Sequence, residues 1–150
     1  MRLLDIFRKS KGPASIFDVA KYILKHKKIR RQHITSHKTR ILLYYCYVWH
    51  LKWENEKLFA DIPKAGNNGI NFDALDHLYD YQLFHATVKE EGDIRKLNTK
   101  QIESIDVIID YYGRRSWQWL HDLVIQEKPW KIASEKRIAD ILILNYYPQN

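Results

Sequence analysis

The chain has 150 residues, of which 45% are hydrophobic and 13% aromatic, with 5 Gly, 4 Pro and a single Cys. That length and composition give one domain with a real core and exclude a disordered or fibrous class, an internal disulfide and a cysteine-based zinc cage. The net charge of +7 is one-sided: residues 1–50 hold 12 of the 25 Lys and Arg but two of the 18 acids, a local net of +10 against −3 for the rest.

Such a dipole steers an acidic partner or a nucleic acid toward one end of the molecule. The lone thiol, Cys46, fits a reducing cytoplasm. No apolar run approaches the roughly 18–20 residues of a membrane span, and Met1 to Ser10 lacks the apolar core and cleavage site of a signal peptide.

Taken in order, residues 1–14 read as a native arm or a cloning remnant, ended by Lys11-Gly12-Pro13. Residues 15–150 read as one mainly α domain of about six helices, a reading that admits one short β-hairpin. Ser15, with Asp18 at the third position, predicts a capped helix whose buried stripe is Ile16, Val19, Ala20, Ile23 and Leu24. A basic linker follows, Lys27-Lys28-Ile29-Arg30-Arg31-Gln32-His33. Thr35 or Ser36 then caps the central helix, residues 36–53, with Ile41, Leu42, Tyr45, Val48 and Trp49 on its apolar stripe. Lys38, Arg40, Tyr44 and Tyr47 lie off that stripe and are expected to face outward.

Ile62 to Phe72, with Pro63, Gly66, Asn67, Asn68 and Gly69, reads as an exposed loop suited to partner contact. Asp73 predicts a helix cap, with Leu75, Leu78 and Tyr79 below it. Phe84, Ala86 and Val88 alternate with polar residues, which fits a short strand able to pair with Leu58 to Ile62. Asn98 or Thr99 caps a further helix carrying Ile102, Ile105, Val107, Ile108, Ile109 and Tyr112, with Gly113 as a left-handed stop. Ser116 caps another, with Trp119, Leu120, Leu123 and Val124 inward. Pro129-Trp130 reads as a turn that returns an aromatic to the core. Ser134 to Tyr147, with Ile138, Ile141, Leu142 and Leu144, reads as a last helix or two short pieces.

No catalytic or metal motif emerges. His33 and His37 have the i, i+4 spacing of two ligands, but the intervening residues lack the Glu of a zincin helix and the pair is surrounded by cations. Cys46 sits mid-stripe, where a thiol is a small packing residue. There is no Gly-x-Ser-x-Gly elbow, glycine-rich phosphate loop or paired-carboxylate motif, and no cofactor is implied. Lys27 to Arg31 with Lys38 and Arg40 could contact phosphates, which keeps a nucleic-acid-binding regulator open. The surplus tyrosines and tryptophans have the composition of protein-binding hot spots where they are not core filler.

Three blocks read together resemble the Panacea, or SocA-like, domain. They are Ile16-Phe17-Asp18-Val19-Ala20-Lys21-Tyr22-Ile23-Leu24; Lys38-Thr39-Arg40-Ile41-Leu42-Leu43-Tyr44-Tyr45-Cys46-Tyr47-Val48-Trp49-His50-Leu51, followed by Lys57-Leu58-Phe59; and Tyr112-Gly113 with Trp119-Leu120 and then Glu127-Lys128-Pro129-Trp130-Lys131-Ile132-Ala133. The structural motif positions are Leu42, Tyr45, Trp49, Pro129 and Trp130. The chain departs from the family over Ile62 to Ile70, where its middle motif is scarcely present, so the resemblance is to a divergent member. It implies a small helical antitoxin of a bacterial or prophage toxin–antitoxin pair, which neutralises a cognate toxin by direct binding and is not an enzyme. Arg30, Arg31, Lys38, Arg40, Tyr44, Tyr47, Asn67, Asn68 and Tyr81 are the expected partner contacts. A phage structural or adaptor protein of the same fold is the further alternative.

Overall fold

The structure is a computed structural model that describes residues 12–133 and 136–148. Residues 1–11, most of the expected arm, and Ser134, the expected start of the last helix, lie outside the described residues. Within them the chain forms seven α-helices: α1 (Ile16–Lys25), α2 (Ser36–Glu54), α3 (Tyr81–Glu91), α4 (Thr99–Tyr112), α5 (Trp117–Gln126), α6 (Lys128–Lys131) and α7 (Asp140–Tyr146). Two 3₁₀ turns, Asp73–Leu75 and Ile94–Lys96, and an antiparallel hairpin of β1 (Lys64–Gly66) and β2 (Gly69–Asn71) complete it. The mainly helical domain with one short hairpin is therefore what the chain builds. No described helix is long and apolar enough to cross a membrane.

Most of the fold packs around α2. Thr35 caps it, its hydroxyl accepting from the Lys38 N–H at 3.1 Å, and Asn55 ends it in the left-handed region at φ 55°, ψ 36°. Helices α1, α4, α5 and α7 and strand β2 all contact it. A helix apolar on every side is buried on every side. This corrects the expectation that Lys38, Arg40, Tyr44 and Tyr47 face a partner: all four are buried, Tyr44 and Tyr47 completely. Each finds a polar partner inside, which is what makes burial tolerable, although the Arg40 Nη1 is left without a hydrogen bond. Lys38 donates to Gln32 Oε1 and Gly113 O, both at 2.8 Å. Arg40 donates to Asn71 Oδ1 at 3.1 Å and to Leu75 O, and Tyr47 donates to Asp140 Oδ1.

The other elements show where local signals hold. Ser15 caps α1 by accepting from Phe17 N, but Asp18 does not complete a capping box; it is buried and accepts from the Asp93 N–H at 2.7 Å, tying α1 to the turn after α3. Gly92 permits that approach, since a Cβ there would lie 2.5 Å from Phe17 O. A true capping box forms at Asn98 and Gln101 on α4. Ser116 caps α5 through Trp119 N.

Further expectations are corrected. Residues 84–88 are helical, not extended: Asp80 caps α3, and Phe84 and Val88, one turn apart, reach the core. Gly113 stays right-handed at φ −60°, ψ −28° and extends the α4 hydrogen bonding to Ile109 O. The 62–72 loop contains the hairpin, turning at the exposed Asn67-Asn68, while Gly69, Ile70 and Phe72 are buried. Asp73 opens only a 3₁₀ turn, Asp80 caps the helix that follows, and Tyr79, like Val107 and Trp119 among the residues placed inward, is instead exposed.

Candidate partner-binding surfaces

Two surfaces of opposite chemistry stand out. The first belongs to the C-terminal half of α2. Trp49 and Trp53, one turn apart, have rings 5.6 Å from each other. With Val107, Tyr111 and Tyr112 of α4 and with Pro148 they line an open groove of about 300 Å³, at the small end of the range for ligand pockets, roughly 300–1,000 Å³. Tyr111 is 71% exposed and Val107 49%, a costly display of apolar surface unless something covers it.

The groove floor is rigid. Tyr112 stacks on Tyr45 with ring centres 4.9 Å apart. Tyr45 and Tyr147 both donate to Glu127 Oε1 at 2.7 Å, and the Tyr147 hydroxyl lies 3.0 Å from that of Tyr44. Burial raises the Glu127 carboxyl above its ordinary range, while the two hydroxyl donors pull it back. The same burial raises Tyr44, Tyr45 and Tyr147 well above an ordinary phenol, so these hydroxyls remain donors. Glu127 and Tyr147 were not singled out as functional by their sequence context. The signals in the sequence are that Glu127 lies within the third resemblance block and that Tyr147 belongs to the aromatic surplus.

The second surface is basic. Arg30 and Arg31 are exposed on the turn that follows α1, where Ile29 is wholly buried. Gln32 pins that turn to the end of α4: its Nε2 donates to Lys28 O at 2.6 Å and to Gly113 O at 3.0 Å. Lys27, Lys28, Arg30, Arg31, Gln32 and Arg114 line an open cleft of about 730 Å³.

The remaining candidates are dispersed. Asn67 and Asn68 stand exposed at the hairpin tip. Tyr81 is half-buried between two imidazoles, stacked on His33 at 4.0 Å and on His85 at 4.1 Å. That stack takes His33, which precedes α2, away from His37; the latter packs near Tyr79 and Trp117. Burial, then Arg40, lowers the His37 pKa. Among the described residues no group of three His, Cys, Asp or Glu could hold a metal ion. Cys46 is fully buried and its thiol is pushed far above the reactive range by desolvation. His50 is also buried, with Nδ1 2.8 Å from Ser104 Oγ.

The motif positions act as a scaffold. Leu42 and Tyr45 are core, Trp49 is half-buried, and Pro129 is buried at the start of α6. Trp130 donates its indole N–H to Gly69 O at 2.6 Å, locking α6 onto the hairpin. Comparisons with protein-family models, with curated proteins and with solved structures give no match to this chain.

Proposed function

We propose that the chain is an antitoxin of the Panacea-like kind, acting in the bacterial cytoplasm, sometimes prophage-encoded, by binding a cognate toxin rather than by catalysis. The aromatic groove beside Trp49 and Trp53 carries this reading. Two rows at helical i, i+4 spacing, Trp49 with Trp53 and Val107 with Tyr111, flank an apolar slot braced from below. Such a slot fits the apolar face of a partner helix or one inserted side chain. The resemblance supports the same reading, because its second and third blocks meet in the fold: Tyr45 of one donates to Glu127 of the other. Asn67, Asn68 and Tyr81 are secondary contacts.

The test is co-expression with the product of the adjacent gene. The antitoxin should restore growth and co-purify with that product, and Trp53→Ala combined with Tyr111→Ala should abolish both while leaving the chain folded by circular dichroism. Failure of the native chain to rescue growth, with no co-purifying partner, would sink the proposal.

A further inference from the structure

The basic cleft is built for a different ligand. Five cations, Lys27, Lys28, Arg30, Arg31 and Arg114, surround it, and among the described residues only Lys28 is in an ion pair, with Asp110 at 2.9 Å. The cations stand on a braced frame. Gln32, on the cleft lining, is hydrogen-bonded to Gly113 O and receives the Lys38 ammonium from beneath, at 2.8 Å. Among the described residues Lys38 has no carboxylate partner, and it adds a further positive group behind the wall.

The chemistry of the lining selects the ligand. Among the described residues no aromatic or aliphatic side chain contributes to it, so an acidic protein would find salt links but no apolar anchor, and interface energy is concentrated in such anchors. Phosphodiesters need no anchor: guanidinium forks and ammonium groups neutralise them directly, with release of counterions.

We infer that the cleft formed by Lys27, Lys28, Arg30, Arg31 and Arg114 binds nucleic acid through its phosphate backbone, with little base selectivity. This stands apart from the toxin reading, since it uses another surface and survives or fails without a toxin present.

Fluorescence anisotropy on the full chain tests it, with a labelled 20-nucleotide single-stranded DNA, the matching duplex and the matching RNA as probes. Binding should be measurable at about 50 mM salt and fall steeply by about 200 mM. Combining Arg30→Ala, Arg31→Ala and Arg114→Ala should weaken duplex binding about tenfold or more and flatten the log–log salt slope by about 3, one unit per lost phosphate contact. Combining Lys89→Ala, Lys96→Ala and Lys131→Ala removes equal charge elsewhere and should leave that slope in place. If the triple arginine variant does not fold, the single changes Arg31→Gln and Arg114→Gln carry the test, each flattening the slope by about 1. No anisotropy change with any probe at about 50 mM salt overturns the inference. So does an equal loss in both triple variants, and so does displacement of the DNA by poly-glutamate of matched charge, which would make an acidic polypeptide the ligand.

Discussion

Lys38 is a cation held in the interior by two neutral acceptors, Gln32 Oε1 and Gly113 O. Neither repays the loss of hydration of a full charge, and desolvation lowers its pKa from the ordinary 10.5 to about 8. Between those values the unfolded chain keeps the proton that the native chain has released. The unfolded state then binds more protons, so stability rises with pH across that window. The gain is opposed from about pH 9, where Cys46 of the unfolded chain ionises while burial keeps the native thiol protonated, and again near pH 10, where exposed tyrosines of the unfolded chain ionise while burial and Asp106 hold native Tyr22 up to about 12. Urea unfolding at pH 7 and pH 9.5 should show the native chain gaining about 1–2 kcal/mol relative to Lys38→Met. Parallel behaviour of the two proteins would mean that Lys38 stays protonated throughout. Arg40 solves the same problem differently. Its guanidinium cannot release a proton, so it spreads its charge over Asn71, Leu75 and the Tyr79 ring, 4.4 Å from its centre.

The hairpin shows how an element can be written in turn residues and still belong to the core. Asn67 and Asn68 make the reversal with negative φ, and Gly69 takes the positive value, 103°. A Cβ at Gly69 would be strained by that backbone and would sit 3.2 Å from Ile41 Cδ1 on α2. Gly69→Ala should therefore cost about 1–3 kcal/mol, read as a lowered denaturant midpoint with an unchanged slope, whereas Gly66→Ala, whose nearest neighbour is Asn71 Cβ at 3.8 Å, should cost less. Equal effects at the two glycines would remove Gly69 as the pivot. Four helix starts were legible in the sequence because capping is local: Ser15, Thr35, Asn98 and Ser116 cap where their spacing to the apolar stripe places them, whereas the cap expected at Asp73 falls to Asp80. The α3 helix was not, because Phe84, Ala86 and Val88 satisfy a period of two, while the helical contact pair, Phe84 and Val88, is hidden inside the same five residues. The outward face of α2 was misread for a related reason. Lys38, Arg40, Tyr44 and Tyr47 are polar at their tips, and only partners distant in sequence, at Gly113, Asn71, Tyr147 and Asp140, bring those tips inside.

At the scale of the molecule, one carboxylate joins three distant parts of the chain. Glu127, at the junction of α5 and α6, accepts from Tyr45 of α2 and from Tyr147 after α7, and Tyr147 in turn meets Tyr44. The arrangement underlies the aromatic groove, since Tyr112 stacks on Tyr45, and Tyr147 packs edge-on against Trp49 at 5.8 Å. Of the candidate sites, Arg30, Arg31, Asn67 and Asn68 were legible because exposure follows from polarity at a turn. The groove was not, because its walls are aromatic residues that sequence periodicity assigns to the core as readily as to a surface. A carboxylate shared by two hydroxyls in a low-dielectric setting couples its donors: with one removed, Glu127 is drawn further toward the neutral form, and the second hydroxyl then meets a weaker acceptor. Tyr45→Phe and Tyr147→Phe should each cost about 1–3 kcal/mol, and the double variant should depart from their sum by about 0.5 kcal/mol or more. Glu127→Gln sharpens the test through pH. Because the native carboxyl titrates above its unfolded value, the native state holds a proton that the unfolded state has lost, and stability declines as pH rises through that interval. Glu127→Gln removes that decline. Additive costs for the two tyrosines, together with an unaltered pH profile in Glu127→Gln, would show three independent hydrogen-bonding groups rather than one network beneath the groove.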